Sequence, residues 1–127
     1  MVTLLYVFTN HPMAFFDIKK KIELIIQKIQ SRNKKPLLCG DWNLNFMVNN
    51  KRLQEVQNLL ESYNMMNTVR SPTRITPSTE SLIDVLITYK DIPVLSTAVV
   101  DLGLSDHLAQ MVKINISKKK IGELIRL

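Results

Sequence analysis

Three short polar clusters stand where apolar runs of this sequence end. Sheet-based folds commonly assemble reactive groups at such places, on loops held by a rigid scaffold. The first cluster is Gly40-Asp41-Trp42-Asn43. If the backbone stays extended there, Asp41 and Asn43 lie two residues apart and point to the same side. A carboxylate in that position can take a proton from water or bind a metal, and the amide can orient a phosphate oxygen or an attacking water. Gly, Asp and Asn are also common turn formers, and by itself the run reads more readily as a turn. The second cluster is Ser81-Leu82-Ile83-Asp84. Asp84 opens an otherwise apolar run, where a carboxylate is costly unless paired. Orienting an imidazole is one reason for it to be there; a strand-end carboxylate facing solvent is the plainer one. The third is Ser105-Asp106-His107, which sets a carboxylate beside the only histidine with acidic company. His107 suits donation of a proton or a hydrogen bond to a phosphate. Asp106 suits metal binding or water activation, and the alternative is a loop closing before the last strand. The other histidine, His11, precedes Pro12 and has no acidic neighbour, which fits an exposed loop.

The elements that must position these clusters follow from hydrophobic periodicity. Residues 2–8 are apolar, β-branched and aromatic, and read as a buried strand. Ile18, Ile22, Ile25, Ile26 and Ile29 have helical spacing, which predicts a helix over 15–30. Residues 36–40 form a second short apolar strand ending in Gly. A second helix is expected over 51–63, with Leu53, Val56, Leu59, Leu60 and Tyr63 on one face and Asn49 or Asn50 as its cap. Residues 67–70 are a short strand candidate. Pro72, Pro77 and many hydroxyl residues make 71–81 a loop or irregular hairpin. Strands are expected over 82–89, 93–100 and 108–116. Helices alternate with strands early and strands dominate later, which predicts an α/β chain with a mixed β-sheet and helices on one face.

Bulk properties bound the function. A chain of 127 residues with 46% hydrophobic residues suits one domain with a buried core. We divide it into a domain portion over 1–117 and a basic tail over 118–127. There are 17 Lys and Arg against 11 Asp and Glu, a net charge of +6, and this balance suits phosphate-rich partners. Part of that charge is Lys118-Lys119-Lys120, which reads as a solvated end. The single cysteine, Cys39, cannot form an internal disulfide and reads as a small buried hydrophobe. The apolar start lacks a charged leader and a small-residue cleavage site, and no run approaches the ~20 apolar residues of a membrane span. An intracellular protein with no membrane partner is expected.

In order and chemistry the three clusters resemble conserved blocks of one family. Leu38-Cys39-Gly40-Asp41-Trp42-Asn43 resembles its CGDFN block, with Trp42 where Phe is usual. Ser71-Pro72-Thr73-Arg74-Ile75-Thr76, running on to Ser81-Leu82-Ile83-Asp84, resembles its PTR…S.LID block, and Gly103-Leu104-Ser105-Asp106-His107 its SDH block. On these blocks the chain, from about Tyr6 to Ile116, resembles the endonuclease domain of non-LTR retrotransposons, within the endonuclease/exonuclease/phosphatase superfamily. The resemblance implies half of a four-layer α/β sandwich. It assigns water activation to Asp41 and phosphate binding to Asn43. Asp84 would orient His107, and Asp106 would support a metal or the attacking water. Ser81 would touch the DNA backbone, and the 71–81 hairpin would reach a DNA groove with Arg74 on a phosphate. The implied reaction is hydrolysis of a DNA phosphodiester with Mg²⁺ or Mn²⁺, and for a functional retroelement protein the place is the nucleus.

The family's N-terminal half, with its early Asn and metal-binding Glu, has no counterpart among these residues. Glu23 falls inside the first helix and is not that ligand. Tyr6 stands near the place of a family tyrosine, but no Arg follows it and its spacing to Pro12 differs. The expectation is a truncated copy with weak or absent metal binding, inactive alone. Its inner sheet face would need the missing half or another chain to cover it. The alternatives are a non-catalytic basic nucleic-acid-binding remnant, and a degenerate reading frame whose product does not fold stably.

Overall fold

The isoleucine spacing produces a helix with one apolar stripe. The structure, a computed structural model, describes residues 3–7, 18–115 and 125–126. Helix α1 spans Ile18–Gln30 and buries Ile18, Ile22, Ile26 and Ile29, while Lys19, Lys20 and Lys28 stay exposed. Each such isoleucine stabilises the fold by about 1.5–3 kcal/mol. Asn33, at φ 53°, turns the chain out of the helix in the left-handed conformation that asparagine tolerates. Helix α2 spans Lys51–Ser62. Asn50 is its cap, accepting the Leu53 N–H at 2.9 Å, while Asn49 accepts from the Gln54 side chain. Leu53, Val56, Leu59 and Leu60 form its buried face.

The strands in chain order are β1 (Thr3–Val7), β2 (Lys35–Asp41), β3 (Met65–Asn67), β4 (Arg74–Ile75), β5 (Glu80–Ser81), β6 (Asp84–Tyr89), β7 (Val94–Val100), β8 (Ala109–Ile114) and β9 (Ile125–Arg126). Five of them form one sheet in the order β3-β6-β2-β1-β9. β1 runs parallel to β2 and β9, and β6 runs antiparallel to β2 and β3. Two small hairpins, β4–β5 and β7–β8, complete the strands among the described residues. The chain is thus mixed α/β.

Side chains alternate across a strand, and this alternation sorts the sheet into two faces. Leu38, Val85, Ile87 and Met65 join α1 and α2 in one core. The register pairs Cys39 with Leu86 and Asp41 with Asp84, so these four residues share the opposite face. The chemistry therefore sits away from the helices.

Some elements depart from the sequence reading. The strand expected over 67–70 is β3, and it ends at Asn67. The Asn67 side chain accepts the Val69 N–H at 3.1 Å, a local bond that competes with continuation of the strand. The strand expected over 82–89 begins at Asp84. The 71–81 segment, by contrast, is the hairpin expected, closed by a turn in which Thr76 N–H donates to the Thr79 carbonyl. Ile125–Arg126, in the stretch read as a tail, pairs with β1. Cys39 is half-buried. His11, Pro12 and residues 116–124 lie outside the described residues, as do the side chains of residues 3–7.

Candidate active site

The end of β2 carries the first group. Gly40 has φ 134°, a backbone conformation that L side chains rarely adopt, and Asn43 has φ 49°. The chain therefore turns instead of staying extended past Asp41. Asp41 accepts the Asn43 N–H at 2.8 Å, so the two side chains are not simple same-face neighbours. Between them Trp42 is fully buried, and its backbone N–H donates to the Ile83 carbonyl at 2.9 Å. Trp42 packs near Phe46, with ring centroids 6.4 Å apart. The turn is thus anchored on both sides of the carboxylate.

The start of β6 carries the second group. Asp84 is only 8% exposed. It is not a strand-end carboxylate facing solvent, because its Oδ2 lies 2.9 Å from His107 Nδ1. A carboxylate can only accept, so Nδ1 carries the proton and Nε2 is left for chemistry. Asp84 also stands directly across the register from Asp41. Like charges opposite one another in adjacent strands are destabilising unless a cation or protonated group joins them. Ligand atoms of Asp41, Asp84 and His107 all lie within 4.8 Å of one another.

The 101–108 loop between β7 and β8 carries the third group. Gly103 has φ 66°, and Asp101 accepts its N–H at 2.8 Å. Ser105 Oγ accepts the His107 N–H at 3.0 Å, shaping the turn that presents the imidazole. His107 is half-buried. Asp106 is exposed and lies outside the three-residue cluster; its Oδ2 accepts from Arg74 Nε at 2.8 Å. That hydrogen bond, with the positive charge behind it, holds the Asp106 carboxyl below the usual carboxylate range. Burial pushes the Cys39 thiol up, away from the reactive thiolate. Ser81 pairs with Arg74 in the β4–β5 hairpin, and its carbonyl accepts the Thr73 N–H.

Two positioning residues escape a reading by residue type. Thr73 is fully buried, and its hydroxyl accepts the Ile83 and Asp84 N–H groups at 3.1 and 3.0 Å. Asn45 Oδ1 accepts the Leu82 N–H at 3.1 Å and the Met47 N–H at 3.0 Å, tying the loop after Asp41 to the approach of β6. Thr73 lies inside the PTR block, which was the one available signal; Asn45 has none.

Comparison with known proteins gives the family and the fold. Residues 2–111 match a family model described as endonuclease-reverse transcriptase. The fold is similar to the endonuclease domain of TRAS1, a telomere-specific non-LTR retrotransposon, at TM-score 0.65 and 19% identity, covering 90% of this chain and 58% of that one. It is similar to an endonuclease/exonuclease/phosphatase family protein from Leptotrichia buccalis at TM-score 0.61 and 21% identity, covering 79% and 43%. A mannosyl-6-phosphatase from Bacteroides thetaiotaomicron is also similar, at TM-score 0.54 and 13% identity, covering 87% and 49%. The chain thus spans about half the length of these solved structures. No curated protein matches the sequence.

Proposed function

The chain belongs to the endonuclease-reverse transcriptase family, and on that premise we propose that it carries one wall of a metal-dependent, DNA-nicking active site. The observation that supports this most is the Asp41–Asp84 pair across one register, closed by His107. Two carboxylates brought together against their own repulsion fit a cation or a proton-transfer site better than a structural role.

The residues divide the reaction between them. Asp41 activates the attacking water, and Asn43 orients a phosphate oxygen. His107, held through Nδ1 by Asp84, presents Nε2 to the phosphate as a hydrogen-bond or proton donor. Ser81 and Arg74 contact the DNA backbone from the β4–β5 hairpin. The donor set fits Mg²⁺ or Mn²⁺, which take oxygen ligands and are often held by one or two carboxylates with water and substrate phosphate. Asp41 is the carboxylate best placed to hold the ion. At Asp106 an ion has to displace Arg74. When bound, the metal neutralises phosphate charge and polarises the phosphorus–oxygen bond.

The partners are DNA and a cover for the face opposite the helices, supplied by the family's N-terminal half or by another chain. A protein acting in a retroelement works in the nucleus. No described helix is long and apolar enough to cross a membrane. With one wall only, metal affinity and unaided activity are low. A plasmid-nicking assay with Mg²⁺ tests the reading, with Asp41→Ala and His107→Ala as controls. Faint nicking lost in both variants supports it, and robust nicking lost in both shows a self-sufficient enzyme. Salt-sensitive DNA binding that ignores Asp41→Ala, with no nicking at any protein concentration, favours a non-catalytic binder.

A further inference from the structure

Three consecutive residues touch both segments that form the site. Thr73 holds the approach to β6 through its hydroxyl, on the Ile83 and Asp84 N–H groups. Its carbonyl accepts the Leu108 N–H at 2.6 Å. Arg74 forms an isolated β-bridge with His107, and its Nε donates to Asp106 Oδ2. Ile75 N–H donates to the Asp106 carbonyl at 2.9 Å. The hairpin base is therefore a shared support for Asp84 on one side and for Asp106 and His107 on the other. The Asp84–His107 bond spans the two supported segments. Residues 101–106 are otherwise exposed, so the loop has little burial to hold it.

We propose that Arg74 is a positioning residue whose ion pair with Asp106 keeps the 105–108 loop seated, so that His107 Nδ1 stays on Asp84. Both partners of the pair are more than two-fifths exposed, and exposed pairs contribute little to global stability. The effect is local: it restricts the loop and not the fold. Only Nε is committed to Asp106 in this contact. The planar fork still offers its terminal nitrogens to an oxyanion, so an anion gripped by Arg74 meets a guanidinium already fixed to the histidine loop. The inference rests on the proposed role of His107, but its test needs no turnover.

The test is nuclear magnetic resonance on the isotope-labelled chain and on Arg74→Ala, Arg74→Lys and Asp106→Asn. One readout is the far-downfield proton of an imidazole Nδ1–H held by a carboxylate. The other is hydrogen exchange at the Ile75 and Leu108 amides, with Val56 and Ile87 as core references. In Arg74→Ala the downfield proton should broaden and lose intensity and the two loop amides should exchange roughly two- to fivefold faster, the factor expected of an exposed ion pair. The core amides should not change. Arg74→Lys should restore part of both signals, and Asp106→Asn should reproduce the loss. Unchanged signals in Arg74→Ala overturn the proposal, as does a downfield proton absent from the unmodified chain. Equal acceleration of the core amides also overturns it, since that marks a purely structural role. Failure to nick DNA would defeat the functional reading and leave these signals in place.

Discussion

The helix-covered side of the main sheet and the β7–β8 arm handle apolar residues in opposite ways. Beneath the helices Ile22, Ile26, Ile29 and Ile87 have no exposed surface. Along the arm Leu95 and Met111 are more than half exposed, and on the loop that joins its strands Leu102 is 60% and Leu104 85% exposed. An isolated two-stranded hairpin is marginal in water, and the arm leaves these apolar side chains in solvent. The site lies across this divide. Asp41 and Asp84 stand on strands backed by the core, whereas Asp106 and His107 hang from the arm. The base of the β4–β5 hairpin joins the two regions, which is why Thr73 and Arg74 matter beyond their residue types.

Substitutions can break that comparison. The largest effect is expected in the covered region: Trp42→Ala should lower stability by about 3–5 kcal/mol and remove a cooperative thermal transition. Leu104→Ser should stay within about 0.5 kcal/mol of the parent and reduce aggregation. A Leu104→Ser chain that melts much earlier would show that the arm is packed as tightly as the core. At the seam, Thr73→Val leaves two buried N–H groups without an acceptor and should cost about 2–4 kcal/mol, read by chemical denaturation. Asn50→Ala removes the α2 cap and should cost about 1 kcal/mol. It touches only the covered region, so the His107 resonances should not move.

The covered region is also the part that was legible in the sequence. The helical spacing of Ile18 to Ile29 and the asparagines before Lys51 carry local, periodic information that tertiary context did not override. The chemistry of Asp84 was legible only as a cost, a carboxylate opening an apolar run, and the bond to His107 supplies what offsets it. The turn at Asp41 was the plainer reading of Gly, Asp and Asn together, and the structure has it, with Asp41 accepting the Asn43 N–H; what residue type did not show is that the fully buried Trp42 anchors it. The role of Thr73 was not legible, since a hydroxyl that accepts two N–H groups ten and eleven residues away leaves no periodic trace. The arm read as two ordinary strands. Periodicity marks strands without saying what covers them.

Acid should separate the two regions with the smallest effect. Arg74 depresses the Asp106 carboxyl pKa in the folded chain. A depressed carboxyl favours the folded arrangement above its unfolded pKa, near ~4, and this contribution is lost as pH falls through the lower folded value. From pH 7 to 5 the Asp106–Arg74 pair should contribute no change, because that carboxylate stays ionised in both states. Below that window protonation of Asp106 releases Arg74, and protection of the Ile75 and Leu108 amides should fall before that of Val56. In Arg74→Ala the Asp106 carboxyl should titrate higher, near its ordinary value, by carbon-detected resonance. The early loss of loop protection should then vanish, because the ion pair that acid breaks is already gone. Simultaneous loss at all three positions would place arm and core in one cooperative unit and remove the division on which the comparison stands.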